Sequence, residues 1–328
     1  MMRPDIQRLG FPICMHGLGV WYKLSVMLKF TIAAVVLGST LFTWAAPDTS
    51  APHTKVVILG SGTPVADPDR FGPAVAIVVN DRAYLVDCGP GIVRQAAAAA
   101  RNNIPALEVT NLNTVFITHL HSDHTLGYPD LIFSPWVLGR EQPLTAYGPK
   151  GLQHMTDAIE SAWRKDVQVR TKGLEQANTA GYKVVVHEIS PGIVYQDEQV
   201  KVTAFAVKHG SWDEALGYRF DTADRSIVIS GDTAPTDSVV NACKGCDVLL
   251  HEVYNASGQE MKDAHWAAYF KAFHTSATEL AEIATRAHPH LLVLYHQVLE
   301  NLPEADLLKD VQEHYSGKVV SAHDLDVF

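Results

Sequence analysis

Cysteine is scarce: the 328 residues hold four, Cys14, Cys88, Cys243 and Cys246. Cys14 falls in an N-terminal segment that reads as a leader, and the three that remain are an odd number. That excludes a disulfide framework as the main source of stability. The spacing CKGC at 243–246 suits either a short local disulfide or two structural thiols, and no second pair or thioredoxin-like context accompanies it. Runs of lysine or arginine are absent as well. The formal net charge is −10, and four basic residues but only one acidic residue lie before position 46, so the remainder is more acidic still. Such a surface repels a polyanion, and phosphate contacts supply most of the energy of nucleic-acid binding, so composition makes nucleic acid an unexpected partner. Past residue 45 there is no apolar run near the roughly 20 residues that a stable membrane span requires.

The composition that is present, 47% hydrophobic and 19% charged, is enough for a full globular core. Ahead of it, Lys29, an apolar run from Phe30 to Phe42 and then small residues follow the order of a secretory signal peptide. Thr43 and Ala45 suit cleavage before Ala46, and an uncleaved anchor is the competing reading. Met27 stands directly before this segment, so residues 1–26 are an over-long start or an unusual leader. The sequence thus predicts a signal peptide at 1–45, a linker at 46–54 and one catalytic domain at 55–328, in a periplasmic or secreted protein.

Within that domain, KVVILG (55–60) reads as a buried strand closed by the turn GSGTP, and AVAIVVN with AYLVDCG as a hairpin about Asn80-Asp81. GIVRQAAAAARNN is a helix opened by Gly89-Pro90-Gly91. Further helices are expected at 127–138, 151–164, 275–287 and 303–314, and strands at LNTVFITH, PLTAYG, 183–189, 200–207, LGYRFDT, RSIVISG, DVLLHEVY and HLLVLYHQ. Strands and helices in this order imply sheets covered by helices.

The densest chemistry is HLHSDH, residues 119–124, at the carboxyl end of an apolar strand. In an extended or turning segment His119 and His121 point the same way, so both imidazoles reach one ion. Asp123 and His124 continue past the bend toward a second. Each ion needs further donors, and the sequence places His209, Asp232 and His296 directly after apolar strands.

H-x-H-x-D-H, together with LGSGTP, RFGPAVAI, LVDCGPGIVRQ, LTAYGPKGL, VKHG, ISGDT, LLHEVY, HTSATELAEIA and LYHQ, resembles the metallo-β-lactamase superfamily over nearly all of 55–328. Within it the likeness is to the ribonuclease Z and secreted arylsulfatase-like branch. The resemblance implies a mixed α/β fold, a four-layer αββα sandwich with metals at one edge of two sheets. It assigns His119, His121 and His209 to a first zinc, Asp123, His124 and His296 to a second, and Asp232 to a bridge between them. Asp87 would orient ligand imidazoles. His274 would approach the leaving group. Manganese or iron would also suit these donors, and relatives are often homodimers.

Two such ions about 3.5–4 Å apart would share a hydroxide as nucleophile, with Asp123 accepting its proton and His274 acting as the acid. For the substrate, the branch leaves a choice. Ribonuclease Z usually carries a basic arm that clamps tRNA, in many bacterial members between the third ligand histidine and the bridging aspartate, and here only 22 residues separate His209 from Asp232. With the acidic composition and the leader, this favours an exported, arylsulfatase-like hydrolase of a small anionic ester, a sulfate or phosphodiester, over tRNA 3′-end cleavage. A non-catalytic metal- or ligand-binding protein of the same fold is the third reading. Trp212 could line an aromatic leaving-group pocket, although a packing role suits it better, and HWAAYFKAFH could flank the pocket or be an ordinary amphipathic helix.

Overall fold

The computed structural model describes residues 54–258, 262–299 and 302–328. The expected signal peptide and nearly all of the linker lie outside the described residues. Among the described residues the strands form two sheets. The first runs, edge to edge, β1 (Thr54–Gly60), β2 (Ala74–Val79), β3 (Arg82–Val86), β4 (Thr114–Phe116), β5 (Leu144–Gly148) and β6 (Val184–Glu188). The second runs β7 (Gly192–Gln196), β8 (Val200–Ala206), β9 (Leu216–Thr222), β10 (Ser226–Ile229), β11 (Val248–Tyr254), β12 (Leu291–Val298) and β13 (Val319–Ser321). Each sheet begins with antiparallel hairpins and turns parallel, at β3 in the first and at β10 in the second.

Side chains alternate across a strand, and that period sorts the apolar residues into three layers. Val56 and Ile58 of β1 with Val75 and Ile77 of β2 face Val202, Phe220, Ile229 and Tyr295 of the second sheet, forming the central core. Val57, Leu59 and Ala76 point the other way, onto α1 (Ile92–Arg101), α3 (Tyr128–Val137) and α4 (Leu152–Ala162). Val228, Leu249 and Leu292 of the second sheet pack outward on α6 (Asp237–Cys243), α8 (Ala277–Ala287) and α9 (Glu304–His314). Strands such as VLLHEVY are buried along their whole length because both faces are covered. This is the expected αββα sandwich. After β13 the chain crosses to the first sheet, where Val56 N–H donates to Phe328 O (3.0 Å) and Ile58 N–H to Asp326 O (3.0 Å).

Several elements differ from the sequence reading. The helix expected at 151–164 breaks at Trp163 and resumes as α5 (Arg164–Lys172), a mostly exposed helix without an apolar stripe to announce it. β7 and α6 were not expected; β7 is an edge strand whose Ile193 is 66% exposed, so it lacks an alternating pattern. The CKGC segment closes as a disulfide between the buried Cys243 and Cys246, while Cys88 is free and buried. Among the described residues no helix is long and apolar enough to cross a membrane.

Arg140 is buried without a carboxylate among its hydrogen-bond partners. Its guanidinium donates to the carbonyls of Leu112 (2.8 Å), Leu131 (3.0 Å), Ile132 (2.8 Å) and Gly181 (2.9 Å). The need arises in α3, where Pro135 has no N–H to give the carbonyl of Leu131 four residues back. Burial lowers the Arg140 pKa to about 10, so the group stays cationic at neutral pH. Arg140→Met therefore strands four buried carbonyls and is expected to cost on the order of 3 kcal/mol, read as a lower urea midpoint at unchanged slope. An unchanged midpoint would show that water or local rearrangement takes over the guanidinium's hydrogen bonds.

Candidate metal centre

The strand ends that the sequence singles out meet in one place. The chain leaves β4 at Phe116 and turns through Thr118, His119 and His121 into a single helical turn, α2 (Ser122–Thr125), which carries Asp123 and His124. His209 follows β8 and Asp232 follows β10. Gly231, at φ 60°, makes that last turn, and a Cβ there would lie 2.7 Å from Leu216 O. His296 sits at a bulge in β12 with φ 46°, a conformation rarely kept by a non-glycine residue without a functional reason.

Two donor groups result. His119, His121, His209 and Asp232 form one, and Asp123, His124 and His296 the other, each with its candidate ligand atoms within 4.8 Å of one another. In the first, His121 Nδ1 lies 3.0 Å from His119 Nε2 and 3.1 Å from His209 Nε2. A tetrahedral zinc with bonds of about 2.0–2.1 Å would hold its nitrogens roughly 3.3 Å apart, so the spacing suits a shared cation. Asp232 stands between the groups: its Oδ1 is 3.4 Å from His124 Nε2, and its Oδ2 is 3.5 Å from His296 Nε2 and 3.9 Å from His119 Nε2. His124 Nε2 and Asp232 Oδ1 are both buried without a hydrogen bond. Such atoms are expensive to bury unless something positive binds them. The donor set fits divalent metal, and the seven residues expected as ligands are the seven brought together here.

The far sides of the His119, His124 and His209 rings are held, while His296 Nδ1 is buried without a hydrogen bond. Asp87, at φ 58° just past β3, lies with Oδ2 2.8 Å from His124 Nδ1 and accepts from Thr118 N–H (2.8 Å) and Thr118 Oγ1 (2.9 Å). Thr118 Oγ1 in turn sits 3.0 Å from His119 Nδ1. His209 Nδ1–H donates to Phe273 O (2.8 Å). These contacts leave Nε2 of His119, His124 and His209 facing the centre. Trp212 is not part of the main cavity: its indole N–H donates to His121 Nε2 (2.7 Å) and its ring packs edge-on against that imidazole. It closes a separate shallow hollow with Lys150 and Glu214.

The electrostatics follow from burial and two carboxylates. Burial lowers His119 well below the usual imidazole value and takes His209 down to about 4, which keeps both in the neutral form that ligation needs. Burial also opposes protonation of His124 and His296, but the Asp232 carboxylate, with Asp87 for His124 and Asp123 for His296, outweighs it and raises both. Burial works against the Asp232 anion too, yet His296 and His124 hold its pKa well below the ordinary carboxylate range.

One residue that the structure places beside the site was missed. Glu252 of β11 is fully buried; it accepts from Thr275 N–H (2.9 Å) and Thr233 N–H (3.2 Å) through Oε1, and its Oε2 lies 3.2 Å from His274 Nδ1. A glutamate beside a histidine inside a strand that is otherwise apolar or aromatic, LLHEVY, was the available signal. Burial disfavours the His274 cation, but the charge and hydrogen bond of Glu252 prevail and push its pKa up to about 9. His274, Asp123, Asp232 and His296 all line a cavity of about 380 Å3.

Comparison with known proteins agrees with this architecture. Residues 82–297 match the Beta-lactamase superfamily domain. Ribonuclease Z of Mycobacterium sp. (strain KMS) is 32% identical over 256 residues, 77% of this chain and 87% of that one. Ribonuclease Z of Mycobacterium bovis (strain BCG / Pasteur 1173P2) is 29% identical over 282 residues, 83% of this chain and 96% of its own. Among solved structures, the short form of human tRNase Z superposes with a TM-score of 0.62 at 25% identity, over 84% of this chain and 98% of that one. The metallo-beta-lactamase fold protein YhfI from Bacillus subtilis gives 0.65 at 18% identity over 84% of this chain and 98% of its own, a likeness of fold.

These relatives overturn two expectations, an arylsulfatase-like hydrolase of a small anionic ester and nucleic acid as an unlikely partner, and favour the alternative of ribonuclease Z. The missing arm does not separate this chain from ribonuclease Z, because 282 aligned positions that take in 83% of this chain already cover 96% of the M. bovis enzyme. That relative has no room for a long arm either. Net charge failed for a related reason: it averages a whole surface, whereas phosphate contacts are local. By its sheets, its ligand groups and its relatives, the chain belongs to the Beta-lactamase superfamily domain family, in the ribonuclease Z branch, and is a metal-dependent hydrolase of ester bonds.

Proposed function

We propose that this protein is a ribonuclease Z-type endonuclease that cleaves a phosphodiester near the 3′ end of a tRNA precursor. The observation that carries the reading is the buried Glu252–His274 pair at the cavity beside both ligand groups. A ribose alkoxide is a poor leaving group and departs only with a proton, whereas an activated aryl ester needs none. An acid built in at the cost of burying a carboxylate suits the first kind of substrate. The likeness to a ribonuclease Z and to a tRNase Z, over 96% and 98% of their own lengths, supports the same conclusion.

Two zinc ions are proposed, one held by His119, His121 and His209, the other by Asp123, His124 and His296, with Asp232 shared. When bound, they would supply an activated water and positive charge for the phosphate oxygens. Asp123, whose pKa the His296 hydrogen bond and the His124 charge lower despite burial, stays ionised and can take a proton from that water. Glu252 fixes the His274 ring and keeps it protonated. His274 then releases its proton to the departing oxygen. The exported location suggested by the leader stays a separate proposal, to be checked by cell fractionation.

Several outcomes check this reading. His274→Ala is expected to lower kcat on precursor tRNA on the order of 100-fold, with a much smaller effect on an activated aryl phosphodiester; equal losses on both would remove the assigned acid. Because Glu252 raises the His274 pKa, Glu252→Gln should lower it, so the alkaline limb of the rate profile moves to lower pH. A limb that stays in place would assign the proton elsewhere. Zinc binding at His121 Nδ1 leaves the proton on Nε2, facing the Trp212 N–H as a second donor. Metal loading should therefore turn the indole and change tryptophan emission, a change that Trp212→Phe abolishes.

A further inference from the structure

The helix α7 (Ala264–Phe273) presents Trp266, Tyr269, Phe270 and Phe273 at i, i+3, i+4 and i+7, the stripe that an amphipathic helix usually turns into the core. Here only Phe270 is buried. Trp266 is 42% exposed and Tyr269 half-buried, and these two with Phe270 form one wall of the cavity over the ligand groups. The rings brace one another, Trp266 edge-on to Tyr269 at 5.6 Å and Tyr269 stacked on Phe273 at 4.4 Å. Thr63, Pro64 and Val65 line the same cavity from the loop after β1, with Val65 70% exposed. That loop is tied down by Asp324, which accepts from Ser61 N–H (2.7 Å), Ser61 Oγ (2.7 Å) and Phe71 N–H (2.8 Å). No lysine or arginine lines the cavity among the described residues. Its carboxylates and imidazoles belong to the ligand residues and His274, and the rest of the lining is aromatic or aliphatic apart from the hydroxyls of Thr63, Ser122 and Tyr269. A phosphate belongs at the floor, and what the sides can hold is an uncharged planar group.

We propose that α7 is a nucleobase platform: the base on the leaving-group side of the scissile phosphate seats against Trp266 and Tyr269, in the cavity that Pro64 and Val65 also line. The inference rests on the RNA-cleaving reading above. His274 sets the side, since it caps the carboxyl end of α7, lies 6.0 Å from the Tyr269 ring and delivers its proton to the departing oxygen. The nucleotide that carries that oxygen therefore lies over α7. Every base has a π-face, so the platform gives affinity and register without choosing a sequence.

The test uses the full chain loaded with zinc and a precursor RNA in three forms: intact, abasic on the leaving-group side of the cleavage site, and abasic on the other side. Trp266→Ala is expected to raise KM about ten-fold on intact RNA with kcat nearly unchanged. The wild type should lose a similar factor on the RNA abasic at the leaving-group side, where Trp266→Ala costs nothing further. Trp266→Phe should restore most of the affinity and control for folding. Equal losses from Trp266→Ala on all three RNAs, or sensitivity to the abasic site on the other side, would overturn the platform while leaving RNA cleavage intact. A wild type that cleaves a small phosphodiester but none of the RNAs would remove the RNA reading and the platform with it.

Discussion

Asp232 is the point on which the site turns. Its carboxylate is buried between two sets of imidazoles, with one oxygen that makes no hydrogen bond. An anion in that position is tolerated only if positive charge surrounds it, and its field raises the pKa of His124 and of His296 despite their burial. The same field is what a divalent cation would satisfy more completely. Burial keeps His119 and His209 neutral against the pull of Asp232, whereas at His124 and His296 the same carboxylate, aided by Asp87 and Asp123, overcomes burial.

The fold makes that arrangement affordable by keeping the strain local. Asp87, Gly231 and His296 all occupy left-handed backbone conformations, and all three lie where a strand gives way to the centre or bulges toward it. The layers behind them are regular: alternating side chains, apolar on both faces, leave the strands little freedom to shift register. Arg140 and Asp324 serve similar purposes at a distance, the first holding the end of α3 that Pro135 weakens, the second pinning the loop that forms a cavity wall.

The metal motif was legible because its chemistry is written contiguously, six residues from His119 to His124, and because His209 and Asp232 follow strands that periodicity alone reveals, while His296, expected at a strand end, sits at a bulge inside one. The layers were legible for the same reason. Glu252 was not, since its work is done across the fold on His274, and a single glutamate within VLLHEVY gives no hint of its partner. α5 and β7 escaped because exposed elements carry no buried stripe for a pattern to show. The substrate was misjudged where a whole-chain average and the lack of one appendage stood in for the local chemistry of the cavity.

Under the proposed function, that local chemistry also accounts for an acidic chain acting on a polyanion. The donor groups include two carboxylates, Asp123 and Asp232, and under the two-zinc proposal the cations exceed them in charge, so the cavity floor is positive whatever the sign of the outer surface. Repulsion from a surface of formal charge −10 is screened within about 8–10 Å at physiological salt, while the floor acts at contact distance. Under the proposed tRNA-cleaving function, specificity would depend on how a short single-stranded end is drawn into the cavity, whose lining is aromatic and holds no lysine or arginine among the described residues. Stacking is insensitive to salt compared with phosphate pairing, so an enzyme of this kind would lose less RNA affinity as ionic strength rises than one that relies on a basic clamp.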